Sequence, residues 1–306
     1  MRIEHTAICG MGALGMLYGT HIIDNDGADK VHYVMDRDRL EKYGQRVFYK
    51  NDVPYQLPMR DCAEESPVDL LIVAVKYTGL ADAMKAMERC VGENTIIMSV
   101  MNGITSEDIL AERFGTEHMI YTVAQGMDAV KLGEKFSYIK MGQLVIGVKE
   151  KCQEANLRAV CEYFDRIRMP YTVEEDIGRR LWSKLMLNVG INQACMVYEA
   201  NYGECLNPKS EAYRTMIAAM REVIAVARCE GIAIGEDDLN GYIRLLNTLS
   251  PEAMPSMRQD GVARRPSEVE LFAGTIRTLA QKHGILVPAN DFLYERVREI
   301  EASYSR

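Results

Sequence analysis

The segment HTAICGMGALGMLYG, residues 5–19, constrains the fold more than any other part of the chain. A short apolar run meets three glycines, Gly10, Gly12 and Gly15, and passes directly into a stretch rich in Ala, Leu and Met. A strand, a tight turn and a helix in immediate succession open a βαβ unit, and the G-x-G-x-x-G spacing is that of a dinucleotide site. Gly10 allows the tight turn, Gly12 lets the backbone approach a pyrophosphate, and Gly15 lets helix and strand pack closely. The phosphates then rest on the free N–H groups of the helix N-terminus, which brings Ala13 and Leu14 into the expected contact set. The competing reading is a glycine turn that only joins packed elements.

The rest of the first half supports the βαβ reading. Short apolar runs, HTAIC (5–9), VHYVM (31–35), LLIVAV (70–75), TIIMSV (95–100) and MIYTV (119–123), alternate with helix-length segments, as in a parallel sheet covered on both faces. QLVIGV (143–148) and PYTVEED (170–176) are the last strand candidates. Beyond them the pattern is helical: one amphipathic run over about 209–230 stops at CEGI and another over about 267–283 stops at KHGI, each with glycine in the C-cap position. The expected fold is therefore α/β, with a Rossmann-type doubly wound sheet over residues 1–170 and an all-helical domain over 171–306.

In such a sheet ligands bind at the carboxyl ends of the strands. Asp36 closes the second strand, where a carboxylate can accept the ribose hydroxyls of NAD and repel the 2′-phosphate of NADP. Arg37 and Arg39 follow it, and a guanidinium there could hold that phosphate or remain a solvated charge. Lys76 ends the LLIVAV strand, and Asn102, followed by Gly103, ends TIIMSV; both face the expected cofactor crevice. For Asn102 a plain Asn-Gly turn is an equal alternative.

A net charge of −8 and a pI near 5.3 argue against nucleic acid or an anionic membrane as partner. The eight cysteines form no C-x-x-C pair and have no neighbouring histidine cluster, so they read as reduced thiols and not as a metal site. The longest apolar run falls far short of the ~20 residues of a membrane helix, and the chain opens on a strand instead of a signal sequence. A cytoplasmic protein is the expectation. Oligomeric state is open, with a homodimer among the options.

RRLWSKLMLNVGINQACM, residues 179–196, places Lys184, Asn188 and Asn192 at i, i+4, i+8 in an otherwise apolar helix, a drift of about 40° per step along one face. Buried lysine and asparagine need partners, so the three polar groups point to a polar ligand, the alternative being a lysine snorkelling from an amphipathic face. Further on, Pro266 and Ser267 mark a helix start, which puts Glu268 in its first turn, where an acid suits the dipole. Ser256 lies upstream in a segment without periodicity and reads as a loop serine.

Taken together, GMGALG, Lys76, MNG, LWSKLMLNVGINQ and SMRQD…RRPSEVELFAG stand in the order and spacing of the ketopantoate reductase family, which the chain resembles over nearly its whole length. The resemblance implies NADPH in the N-terminal domain, a helical C-terminal domain, and a small 2-keto acid entering the cleft between them. It implies Lys184 and Glu268 as the catalytic pair, and Asn102, Asn188, Asn192 and Ser256 as ligands of substrate or nicotinamide. Asp36 stands where many relatives have an arginine, which favours NADH over the family's NADPH; Thr105 replaces a common glycine, and Met101 precedes the asparagine. The expected reaction is reduction of 2-dehydropantoate to pantoate in coenzyme A biosynthesis. The alternatives are an NADH-dependent D-2-hydroxyacid dehydrogenase acting on branched-chain 2-keto acids, and a cofactor-binding sensor without chemistry.

Overall fold

A computed structural model describes residues 1–304. The chain divides into two compact units, one formed by Met1–Asn102 with Ser106–Ile177, the other by Gly103–Thr105 and the chain from Gly178 onward.

The first unit is built on an eight-stranded sheet in the order Met59–Asp61, Val31–Met35, Thr6–Cys9, Leu70–Val73, Ile96–Ser99, Met119–Gln125, Gln143–Gly147 and Tyr171–Val173. The first six strands are mutually parallel, and their sequence order reads 3-2-1-4-5-6, the doubly wound arrangement. Gln143–Gly147 runs antiparallel to Met119–Gln125, and Tyr171–Val173 runs parallel to Gln143–Gly147. The unit continues past Pro170 to Ile177 because this last strand belongs to the sheet. The central strands are buried along their whole length, which explains their unbroken apolar runs. Successive side chains point to opposite faces: Ile8 joins a core that includes Leu17, Val160 and Phe164, while the Cys9 thiol faces the Ala83 carbonyl of the helix Leu80–Ala86.

A second, four-stranded sheet of Phe48–Lys50, Val53–Tyr55, Val130–Leu132 and Lys135–Ser137 is absent from the sequence reading, as is the strand Met59–Asp61. Each of these strands has three residues, too few to show alternation.

The second unit is helical. The helix Glu211–Cys229 is capped by Ser210, whose Oγ accepts from Tyr213 N at 3.0 Å, and buries Met216, Met220, Val223 and Ala227 at helical spacing. Pro288–Ala302 is fastened to it by Glu222, which accepts from Ala289 N and Asn290 N. Gly284 ends Thr275–His283 in the left-handed conformation, at φ 66° and ψ 29°. Two segments depart from α geometry: Asn188–Asn192 and Glu270–Gly274 are π-helical turns.

Candidate active site

Gly10 has φ +112°, and a methyl group there would lie 2.4 Å from the Ala74 carbonyl oxygen. Ala74 follows Leu70–Val73, so this contact sits between the first and fourth strands of the parallel order, where that order reverses and ligands bind. A methyl on Gly15 would lie 2.1 Å from the Gly10 carbonyl oxygen. Both glycines are thus required by the protein's own packing. Gly12 is different. Its φ is an ordinary −74°, and an added methyl would meet only the Ala74 oxygen, at 3.8 Å. Among the described residues no packing contact demands glycine there, and the bare backbone leaves room for a close approach from outside. Gly12 is also the N-cap of Ala13–Asp26 and supplies no side-chain cap, which leaves the first-turn amides to an anion. These features fit the pyrophosphate of a dinucleotide.

Asp36 is the N-cap of the helix Arg37–Gly44: Oδ1 accepts from Arg39 N at 2.8 Å, and Arg39 Nε lies 3.4 Å from Oδ2. The carboxylate therefore has a local structural role that strand-end position alone does not reveal. Arg37 is exposed and pairs with Glu41 at 3.7 Å. Lys76 is exposed and caps the turn Tyr77–Gly79. Asn102 is half-buried, and the backbone before it is anchored from inside the unit: Met101 N donates to Ser99 Oγ, which pairs with Ser106 Oγ at 2.8 Å, which donates to Glu107 Oε2 at 2.7 Å. Burial pushes the Glu107 carboxyl up to about 7, against the lowering effect of its hydrogen bonds from Ser106 and Thr122 N and of the Lys149 charge.

In the second unit Lys184 lies half-buried in Ile177–Leu187, and Asn188 and Asn192 are 8% and 6% exposed. The unbroken α-helix expected across them gives way at Asn188 to the π-turn, whose wider ring does not continue the expected drift. Asn192 Nδ2 donates to Asn188 Oδ1 at 3.2 Å, and Asn192 Oδ1 accepts from Ser256 Oγ at 3.3 Å and Met257 N at 3.2 Å. Ser256 is not a loop residue but the first residue of the short helix Ser256–Val262, and Asn192 Oδ1 accepts from that helix's first turn. With Asn188 Oδ1 engaged by Asn192, the Nδ2 group is its donor end.

The helix expected at Pro266–Ser267 begins later, at Glu270, and Glu268 lies in the bend before it. Ser267 does not cap it: Val269 is the N-cap, without a side-chain bond, and Ser267 Oγ accepts from Val269 N at 3.3 Å in the bend, while the Glu268 carbonyl accepts from Leu271 N and Phe272 N. Sequence reasoning missed Gln193. Fully buried, it donates from Nε2 to Val189 O at 2.8 Å and accepts on Oε1 from Ala273 N at 3.2 Å, one bond into each π-turn. Its only sequence signal is a glutamine inside an apolar run. Among the described residues, no group of three or more His, Cys, Asp or Glu side chains is arranged to hold a metal ion, and no helix is long and apolar enough to cross a membrane.

The sheet order and the glycine turn at its reversal define a dinucleotide-binding protein. Residues 6–151 match the family profile described as ketopantoate reductase PanE/ApbA, and residues 176–301 match its C-terminal counterpart. The chain belongs to the ketopantoate reductase family and is an NAD(P)-dependent oxidoreductase acting on CH–OH groups. It is 23% identical over 300 residues to the 2-dehydropantoate 2-reductase of Vibrio cholerae, covering 98% of each chain. With that of Halobacterium salinarum it shares 28% identity over 300 residues, covering 94% of this chain and 96% of the other. Among solved structures, D-mandelate dehydrogenase with NADH superposes with a TM-score of 0.86 at 22% identity, covering 98% of this chain and 99% of that one. The ketopantoate reductase of Ralstonia eutropha gives 0.83 at 25%, covering 99% and 100%.

Proposed function

We propose that this protein reduces 2-dehydropantoate to pantoate with a nicotinamide cofactor, and that Lys184 is its general acid. The observation that carries this reading is the bonded cluster of Asn188, Asn192 and Ser256, formed by the π-turn that follows the Lys184 helix and the start of Ser256–Val262, a polar patch in an apolar unit. When bound, the reduced nicotinamide supplies a hydride to the C2 carbonyl carbon. Negative charge then develops on the carbonyl oxygen, where the Lys184 ammonium stabilises it and delivers the proton. Glu268 orients that ammonium. Asn188 offers a neutral donor to the carboxylate of the acid, Ser256 Oγ, whose proton is held by Asn192 Oδ1, accepts from its hydroxyl, and Asn192 holds both of them in place. Gly10, Gly12, Ala13, Leu14 and Gly15 bind the pyrophosphate, Asp36 and Arg37 meet the adenosine ribose, and Lys76 and Asn102 serve the rest of the cofactor.

A second reading, an NADH-dependent D-2-hydroxyacid dehydrogenase, is favoured by Asp36 and by the likeness to D-mandelate dehydrogenase with NADH. Steady-state kinetics with 2-dehydropantoate, 2-ketoisovalerate, 2-ketoisocaproate and benzoylformate, each with both cofactors, separates the two. The proposal requires the highest kcat/KM with 2-dehydropantoate; a higher value for another acid moves the protein to the second reading.

A further inference from the structure

We infer that Gln193 is a positioning residue that sets the register between the Lys184 helix and the Glu268 segment by bonding one π-turn to the other. A π-turn shifts the backbone ladder out of the α pattern, so some of its buried N–H and C=O groups need partners from elsewhere. Gln193 supplies one to each of two such turns. Its Nε2 donates to Val189 O, inside Asn188–Asn192, and its Oε1 accepts from Ala273 N, inside Glu270–Gly274. The side chain is 0% exposed, so water cannot replace either bond. One amide thereby fixes the π-turn Asn188–Asn192, which follows the Lys184 helix, to the π-turn Glu270–Gly274, which begins two residues after Glu268.

The effect on catalysis rests on the proposed roles of Lys184 and Glu268, whereas the bond between the turns does not. Loss of the bond frees the two segments to shift, and a displacement of about 1 Å at a catalytic pair costs up to ~10²-fold in rate. As a positioning residue Gln193 contacts no substrate and acts through the pair alone.

The test compares full-length Gln193→Met, close in shape but without either hydrogen bond, with the unmutated enzyme. We expect kcat with the 2-keto acid to fall by roughly 10- to 100-fold, the cofactor Kd to be unchanged, and the Ala273 amide to exchange faster with solvent. In a Glu268→Ala background the same substitution costs less than about threefold, because the partner it positions is gone. A folded Gln193→Met enzyme that keeps more than half its kcat, an unchanged Ala273 exchange rate, or the full loss repeated in the Glu268→Ala background each overturns the inference.

Gln193→Glu decides the matter if Gln193→Met does not fold. A protonated carboxyl reproduces the amide's one donor and one acceptor, so activity should recover at low pH and fall as the group ionises; a profile parallel to that of the unmutated enzyme contradicts the role. Failure of the functional reading is distinguishable: it appears as retained activity in Lys184→Ala, with the Ala273 exchange result standing independently.

Discussion

Lys184 lies half-buried in Ile177–Leu187, four residues before Asn188, and is the proposed general acid. Replacing Lys184 with alanine should lower kcat by ~10²–10⁴, the usual contribution of a positioned general acid, with cofactor affinity unchanged by titration. Glu268→Ala should lower kcat and raise KM together; a melting temperature lowered at normal kinetics would make Glu268 purely structural. Asp36 carries two roles that one substitution can separate. Alanine removes both the charge and the helix cap, at a cost of about 0.5–2 kcal/mol, whereas Asp36→Asn keeps the cap and removes only the charge. A carboxylate near a phosphate costs on the order of 1 kcal/mol even in high dielectric, so Asp36→Asn should shift the kcat/KM ratio about fivefold toward NADPH without loss of stability. A tenfold NADPH preference in the unmutated protein would mean that Arg37 or Arg39 outweighs the acid. The Asp36 position was legible in the sequence because a strand end fixes it. Its bond to Arg39 N was not, since capping depends on where the next helix starts.

At the scale of elements, the two π-turns separate what local pattern reveals from what packing decides. Apolar periodicity identifies the helical run through Lys184, but a π-turn and an α-turn bury the same residue types, and the register of Asn188–Asn192 is settled by its neighbours. Gly190 shows why: a methyl there would lie 2.5 Å from Met220 Cγ and 2.8 Å from its Sδ, so the glycine lets Glu211–Cys229 pack closely against the turn. Gly190→Ala should destabilise the protein by about 1–3 kcal/mol in urea unfolding, and a neutral result would show that Met220 repacks freely. The helix Ser106–Phe114 carries the buried acid behind Asn102. Because burial holds the Glu107 carboxyl at about 7, above its ordinary value of 4.5, the folded protein keeps a proton there that the unfolded chain has released. The contribution is fully present below pH 4.5 and is lost as pH rises through about 7, by on the order of 3 kcal/mol. Glu107→Gln should flatten the fall in stability between pH 5 and about 8; an unchanged slope would assign the dependence to other groups.

At the scale of the whole molecule, the alternation of buried strands and helices made the doubly wound sheet readable, and the seven strands read from the sequence all occur. The four-stranded sheet escaped because its strands are short and partly exposed, with Val53 at 62% and Leu132 at 63%. Substrate choice is the least legible property, since relatives of similar fold act on 2-dehydropantoate and on mandelate. The central claim is 2-keto acid reduction with Lys184 as proton donor. The most direct measurement is the initial rate of nicotinamide oxidation with 2-dehydropantoate, for the unmutated protein and Lys184→Ala side by side. Turnover in the first, and a kcat lower by ~10²–10⁴ in the second, is the predicted result. Cofactor binding without turnover of any 2-keto acid, or a Lys184→Ala enzyme with more than half the activity, would contradict it.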